Sequence, residues 1–232
     1  MNELPILDER LSLIAGLVRQ GSTVADIGAD HGYLVTWLIK QGICPQGFAC
    51  DINEMPLARS RRTVEQYGVA DRVRLVLSNG LECLQENDAD DIVIAGMGGD
   101  LIAKILAAAA WKNPQKHYLL QPMTRADELR RWLCANGYEI ICEHSARANR
   151  FRYTVLSVRY TGKITVCSDL FAVVGKLPEC PAEDAHAYIR WQAEIVHKKI
   201  KGLQASKNRR EQAAPLELLY HAILCTIGED EI

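Results

Sequence analysis

Val24-Ala25-Asp26-Ile27-Gly28-Ala29-Asp30-His31-Gly32-Tyr33 is a short apolar run, a glycine turn and the start of a helical pattern. It reads as strand, tight turn and helix N-terminus, the place where a doubly wound sheet binds a nucleotide-like ligand. A dinucleotide turn needs G-x-G-x-x-G, so that backbone N–H groups meet a pyrophosphate. Here Asp26 and Asp30 stand where the anion would lie. Carboxylates repel an anion and attract a cation. A ligand carrying an ammonium and a sulfonium fits this turn, and S-adenosylmethionine carries both. The bland alternative is an ordinary βα turn.

Further strand-and-turn units follow. Gly47 to Asn53 reads as a second strand ending in a carboxylate, about twenty residues beyond the turn, the spacing of a ribose ligand. Asp51, with Ile52 beside it, takes that role; a helix N-cap is its alternative, since a helical pattern runs from Met55 to Tyr67 around Pro56. Val73–Leu77 is a third strand, ending at Ser78-Asn79-Gly80. Asn79 and Gly80 suit an adenine pocket, and a plain turn is equally open. Asp91–Ala95 is a fourth strand, followed by Gly96-Met97-Gly98-Gly99. Glycines cost backbone entropy, so three in four residues point to a loop passing close to a flat ligand. His117–Leu120 is the fifth strand, with Thr124 as a helix N-cap and Glu128 in the first turn.

Tyr138–Arg147 and Phe151–Tyr160 are two strands with only a short Ala-Asn-Arg connection, so they form a hairpin. The fold class is α/β: a Rossmann-like, mostly parallel sheet whose last strand is antiparallel, as in class I S-adenosylmethionine-dependent methyltransferases. Beyond Gly162, Pro178 and Pro181 mark a break. Ala182–Ala205 then reads as a long helix, with Tyr188, Trp191, Ile195 and Leu203 apolar, and Arg210–Thr226 as a second. Together they make a C-terminal helical hairpin, too small for its own core, packed on the sheet or projecting as an arm. The expected domains are 1–162 and 163–232.

The balance of 27 basic and 29 acidic residues is near neutral, so any polyanion site is local. Lys198, Lys199, Lys201, Lys207, Arg209 and Arg210 cluster without an acid at the helical turn. Such a cluster steers a polyanion; a solvated helix face is the alternative. Arg147, Arg150 and Arg152 form a second cationic group, and Arg125, Arg130 and Arg131 follow the fifth strand. Glu3, Asp8 and Glu9 stand where a signal peptide would be basic or apolar. No apolar run reaches the ~18 residues of a membrane helix. The eight cysteines form no C-x-x-C pair and fall mostly in apolar segments. They read as reduced, buried thiols of a cytoplasmic protein, with no metal or membrane expected.

Leu7–Leu11, Val24–Tyr33, Ser78–Gly80, Ile94–Gly99 and Leu120–Met123, in that order and with the helical tail, resemble the bacterial tRNA (adenine(22)-N1)-methyltransferase family, the TrmK family. The resemblance implies S-adenosylmethionine as cofactor, tRNA as partner and a C-terminal domain that helps hold tRNA. It implies cofactor binding by Asp26, Gly28, Gly32, Asp51, Asn79 and Gly80, approach of the target adenine to the methyl group at Gly96–Gly99, and catalysis by Asp30, for which cofactor orientation or N-capping is the alternative; Ile52, Gly96, Met97 and Gly98 are expected as further cofactor contacts. After the fourth strand no Asn-Pro-Pro-Tyr-type tetrapeptide appears, which counts against exocyclic amine methylation. Arg10 stays open between a salt bridge, a cofactor carboxylate and a phosphate. Two other functions remain: a small-molecule methyltransferase, disfavoured by the basic helical turn, and a non-catalytic RNA-binding protein, disfavoured by the intact acidic turn.

Overall fold

The structure is a computed structural model that describes residues 4–148, 151–180, 182–206 and 208–229. Seven strands run β1 Val24–Ile27, β2 Gly47–Asp51, β3 Val73–Leu77, β4 Asp91–Gly98, β5 His117–Thr124, β6 Tyr138–Ala148 and β7 Phe151–Tyr160. They form one sheet in the order β3-β2-β1-β4-β5-β7-β6. The first five are parallel, and β7 is antiparallel to both neighbours. The strand order reverses at β1, which places the β1 and β4 turns side by side.

The strands read as near-continuous apolar runs because both faces are covered. Ala25, Ile27, Ile92, Ile94, Tyr118 and Leu120 turn into one buried cluster. Val24, Val93 and Leu119, from the same strands, turn into the other. That is the two-residue period of a pleated strand. Helices α1 Glu9–Leu17, α2 Tyr33–Lys40 and α3 Glu54–Gln66 precede or connect the first strands, and α4 Gly99–Ala108 and α5 Ala126–Ala135 the later ones. Asp8 caps α1, accepting from the Leu11 N–H at 2.7 Å. At the sheet's N-terminal edge, buried Asp91 accepts from Arg19 Nε at 2.6 Å and faces His117 Nδ1 at 3.3 Å. Burial alone would raise its pKa, but these bonds outweigh it and hold the carboxyl below its ordinary range.

Three expectations about element ends need correction. The Gly96–Gly99 stretch is not a free loop: β4 continues to Gly98, paired with β5 through register shifts around Gly96. Gly96 has φ +78°, a bulge conformation suited to glycine. Thr124 is not an N-cap; it ends β5, and Arg125 holds the cap position of α5 in the left-handed region. The second tail helix, α8, starts at Ala214 and ends at Cys225, after a 3-10 turn at Arg210–Gln212. Pro215 in its first turn fits a helix start.

The tail also contains α6 Asp169–Val174 and a 3-10 turn Leu177–Glu179 before α7 Glu183–Ala205. With these, and contrary to expectation, it does build a core: Val174, Leu177, Tyr188, Ile189, Val196, Ile200 and Ile223 are buried together. Trp191, read as one of the apolar positions of the long helix, is exposed. Arg130, one of the three arginines that follow the fifth strand, is fully buried. Its Nε donates to Glu143 at 2.8 Å and its Nη1 to the Ala172 and Val173 carbonyls. This buried pair ties β6 and α5 to α6. Gly175 closes over it, with no room for a Cβ, which would lie 1.9 Å from Glu143 Oε2.

All eight cysteines are free thiols, but only Cys44, Cys50 and Cys134 are buried, while Cys83 and Cys225 are exposed. Among the described residues, no helix is long and apolar enough to cross a membrane.

Candidate active site

The turn after β1 is built from left-handed residues. Gly28 has φ +77°, Asp30 +46° and Gly32 +65°. Gly28 and Ala29 donate their N–H groups to the Cys50 carbonyl at 2.8 and 3.0 Å, locking the turn onto β2. Gly28 leaves no room for a side chain, since a Cβ would sit 2.3 Å from Met97 Cε. Gly32 opens α2 against Ser60 of α3. Asp30 is the unusual member, because a non-glycine residue at positive φ stores strain. It is held by Ser60 Oγ on its carbonyl at 3.1 Å and by Arg59 Nη1 on its carboxylate at 3.1 Å. His31 Nε2 lies 3.6 Å from the same carboxylate. The His31 ring stacks on Tyr33 at 5.1 Å and 8°.

Above this turn is a cleft of about 330 Å³, lined by Arg10, Asp26, Gly28, Asp30, Gly96 and Met123, among others. Asp26 is 6% exposed, and its carboxylate makes no hydrogen bond or ion pair with the described residues. Burial pushes its carboxyl up to about 7; Arg10 opposes that shift and Asp51 adds to it. Gln121, fully buried within β5, accepts from Arg10 Nη1 at 2.9 Å and from Gly96 N at 3.0 Å. One amide therefore fixes both a cation and the glycine bulge at the cleft wall. Arg10 Nη2 also reaches Asp8 at 3.5 Å.

The remaining candidates flank this cleft. Asp51 ends β2 and accepts from Asn53 N at 2.9 Å, while Asn53 holds the cap position of α3, so Asp51 is not the N-cap. Ile52 beside it is 60% exposed. The Asp51 carbonyl accepts from Ser78 N, which places Asn79 and Gly80 on the same sheet edge. Asn79 Nδ2 donates to Glu82, and Gly80 packs against Ile105. Met97 sits against Gly28, but Gly98 packs towards Thr124. Lys198, Lys199, Lys201, Arg209 and Arg210 are exposed. Arg210 Nε donates to the Gln204 carbonyl and steadies the turn. Lys207 and Arg150 lie outside the described residues. Gln121 and Met123 were not among the sequence candidates. A buried glutamine in an otherwise apolar strand was the available signal.

A buried carboxylate beside a guanidinium in one cleft suits a zwitterion: Asp26 for an ammonium, Arg10 for a carboxylate. The half-buried Asp51 carboxylate suits vicinal hydroxyls. These groups fit the amino-acid and ribose parts of S-adenosylmethionine. If Asp26 meets an ammonium, only its ionised form binds, and that form is lost as pH falls through 7. Affinity for S-adenosylmethionine, measured calorimetrically, is expected to weaken about tenfold from pH 8 to pH 6. Asp26→Asn should bind weakly at both pH values. It should also melt higher at pH 8, because a carboxyl with a raised folded-state pKa favours folding below its ordinary range and opposes it above about 7.

The profile of a family described as "Methyltransferase domain" matches residues 7–156. The tRNA (adenine(22)-N(1))-methyltransferase of Bacillus subtilis is 38% identical over 62% of this chain, a match spanning 60% of that relative. A Mycoplasma pneumoniae protein provisionally named a tRNA methyltransferase is 36% identical over 67% of this chain and 72% of its own length. Streptococcus pneumoniae Sp1610 superposes with a TM-score of 0.85 at 29% identity, covering 96% of this chain and 100% of that one. Its complex with S-adenosyl-L-methionine gives a TM-score of 0.79 at 27% identity, covering 94% and 100%. The chain belongs to the methyltransferase-domain family and, within it, is similar to the bacterial tRNA methyltransferases named above.

Proposed function

We propose that this protein transfers the methyl group of S-adenosylmethionine to N1 of adenine 22 in tRNA. The observation that carries this reading is the single cleft joining a buried, unpartnered Asp26 to an exposed, strained Asp30. The relatives support the substrate: the Bacillus subtilis protein is named for this reaction, and Sp1610 as a candidate for it. Residues 1–162 would hold the methyl donor, and residues 163–232 would help hold RNA.

S-adenosylmethionine supplies an electrophilic methyl group on a positively charged sulfur. Asp26 and Arg10 hold the amino-acid end, and Asp51 the ribose hydroxyls. Gly28, Gly32, Ile52, Asn79, Gly80, Met97 and Gly98 shape the edge around them. Gly96 lets the acceptor base approach without a side chain in the way. Adenine N1 has an in-plane lone pair at neutral pH, so no strong base is required. Alignment and exclusion of water remain for the protein to supply. Transfer to the N1 lone pair would form the new N–C bond and leave the pair of the broken C–S bond on sulfur. Positive charge thereby passes to the purine. Asp30 accepts a hydrogen bond from the N6 amino group, stabilises that charge and can take the N6 proton. The base must first leave its stack, at a cost of a few kcal/mol.

The test is transfer of labelled methyl from S-adenosylmethionine to unmodified bacterial tRNA, with phenol, amine and carboxylate acceptors alongside. Label in RNA alone is expected. Label in a small acceptor with none in RNA would replace this reading by a small-molecule methyltransferase.

A further inference from the structure

Met123 belongs to the wall of two clefts. Beyond the one described above, a groove of about 220 Å³ runs between the end of the sheet and α7. Four cations line it: Arg130 of α5 is buried and paired with Glu143, and three others reach it from three elements, Arg125 at the start of α5, Arg152 on β7 and Lys199 on α7. These three are incompletely neutralised. Arg125 pairs with exposed Asp100 at 2.6 Å, but Arg152 comes only within 4.0 Å of Asp184. Lys199 pairs with no carboxylate among the described residues. One acid, Asp127, lines the groove.

Trp191 lies in the same wall and is 37% exposed, held edge-on to buried Tyr188 at 5.6 Å and 67°. A tryptophan fixed on a helix yet left open to water is a ready contact surface. Aromatic side chains set among cations are how proteins hold single-stranded nucleic acid: bases stack on the rings while phosphates meet the charges. Position matters as much as composition. A base drawn out of its stack into the Asp30 cleft drags its neighbours along the strand with it. They must leave across an adjoining surface, and the groove behind Met123 adjoins that cleft.

We infer that this groove receives the RNA strand flanking the target base, with Arg152 and Lys199 on its phosphates and Trp191 stacked on a neighbouring base. The inference rests on the tRNA reading above. It shifts part of the RNA contact from the helical turn to the junction of sheet and tail.

The experiment is equilibrium binding of unmodified tRNA over a salt series, with steady-state methylation kinetics. The proteins are wild type, the double variant Arg152→Gln/Lys199→Gln, Trp191→Ala and Trp191→Phe. Thermal melting and S-adenosylmethionine affinity show that each is folded. The double variant should lose about tenfold or more in tRNA affinity, and its salt slope should fall by about two. Trp191→Ala should lose about tenfold, and Trp191→Phe should recover most of it. The losses should raise KM for tRNA more than they lower kcat, with cofactor affinity unchanged. Folded variants with wild-type tRNA affinity and salt slope, beside a wild type that methylates tRNA, would overturn the groove and leave the function standing. A wild type that neither binds nor methylates tRNA would overturn both.

Discussion

Replacing Asp30 by alanine should lower kcat for tRNA methylation by roughly 10²–10³, with little change in S-adenosylmethionine affinity. The carboxylate is exposed and stands at the mouth of the cleft, whereas the donor's polar end is matched to buried Asp26 and to Arg10. Loss of Asp30 removes the negative charge that meets the developing positive charge on the purine. It also leaves the Arg59 guanidinium, now 3.1 Å from Asp30 Oδ1, without its partner and near that charge. Alanine should therefore be worse than asparagine, which keeps an acceptor for the N6 amino group. Alanine also fits a φ of +46° less well than asparagine does. Single-turnover rates at saturating donor separate these effects from binding. Equal rates for wild type and Asp30→Ala would return Asp30 to a structural role in the turn.

The largest effect on stability is expected at Glu143→Ala. It strands the fully buried Arg130 guanidinium and takes the acceptor from Lys176 N, which lies 3.1 Å from Glu143 Oε2. Breaking a buried ion pair from one side costs about 3–5 kcal/mol. In a chain of this length that lowers Tm by on the order of 10 °C. The loss should fall first on the tail, because α6 is held through the Ala172 and Val173 carbonyls on the same guanidinium. Limited proteolysis should cut near α6 in the variant before it cuts within the sheet. Glu143→Gln keeps the shape and part of the bonding, so it should cost less. A Glu143→Ala protein that melts like wild type would show that the tail does not depend on this pair. The groove of α7 should widen with the same lesion, so tRNA affinity should fall further than donor affinity.

The sheet was legible because burial on both faces leaves strands as apolar runs and because left-handed turns demand glycine at Gly28 and Gly32. Asp26 stood out as a carboxylate inside such a run. What stayed hidden has physical reasons. Gly96–Gly98 looks like a loop by composition, yet the chain keeps its pairing with β5 through a bulge. Arg130 sits in a helix whose other charges face water, and no local pattern marks the one whose partner lies thirteen residues on in β6. Trp191 fits an apolar stripe of α7, but α6 and α8 cover a neighbouring stripe instead. Helix α6 is only six residues long; its signal was Ser168, which accepts from Phe171 N at 3.1 Å as a cap. Gln121 carries no sequence signal for its two partners, Arg10 and Gly96, which come from the distant α1 and β4 segments.

The decisive measurement is the position and chemistry of the methyl group. Unmodified tRNA and a variant with guanosine at position 22 are each incubated with the protein and S-adenosylmethionine, digested, and analysed by mass spectrometry. N1-methyladenosine at position 22 of the first tRNA, and no product from the second, is the expected result. Methylation at N6, methylation elsewhere with equal turnover of both tRNAs, or no RNA product at all would contradict it.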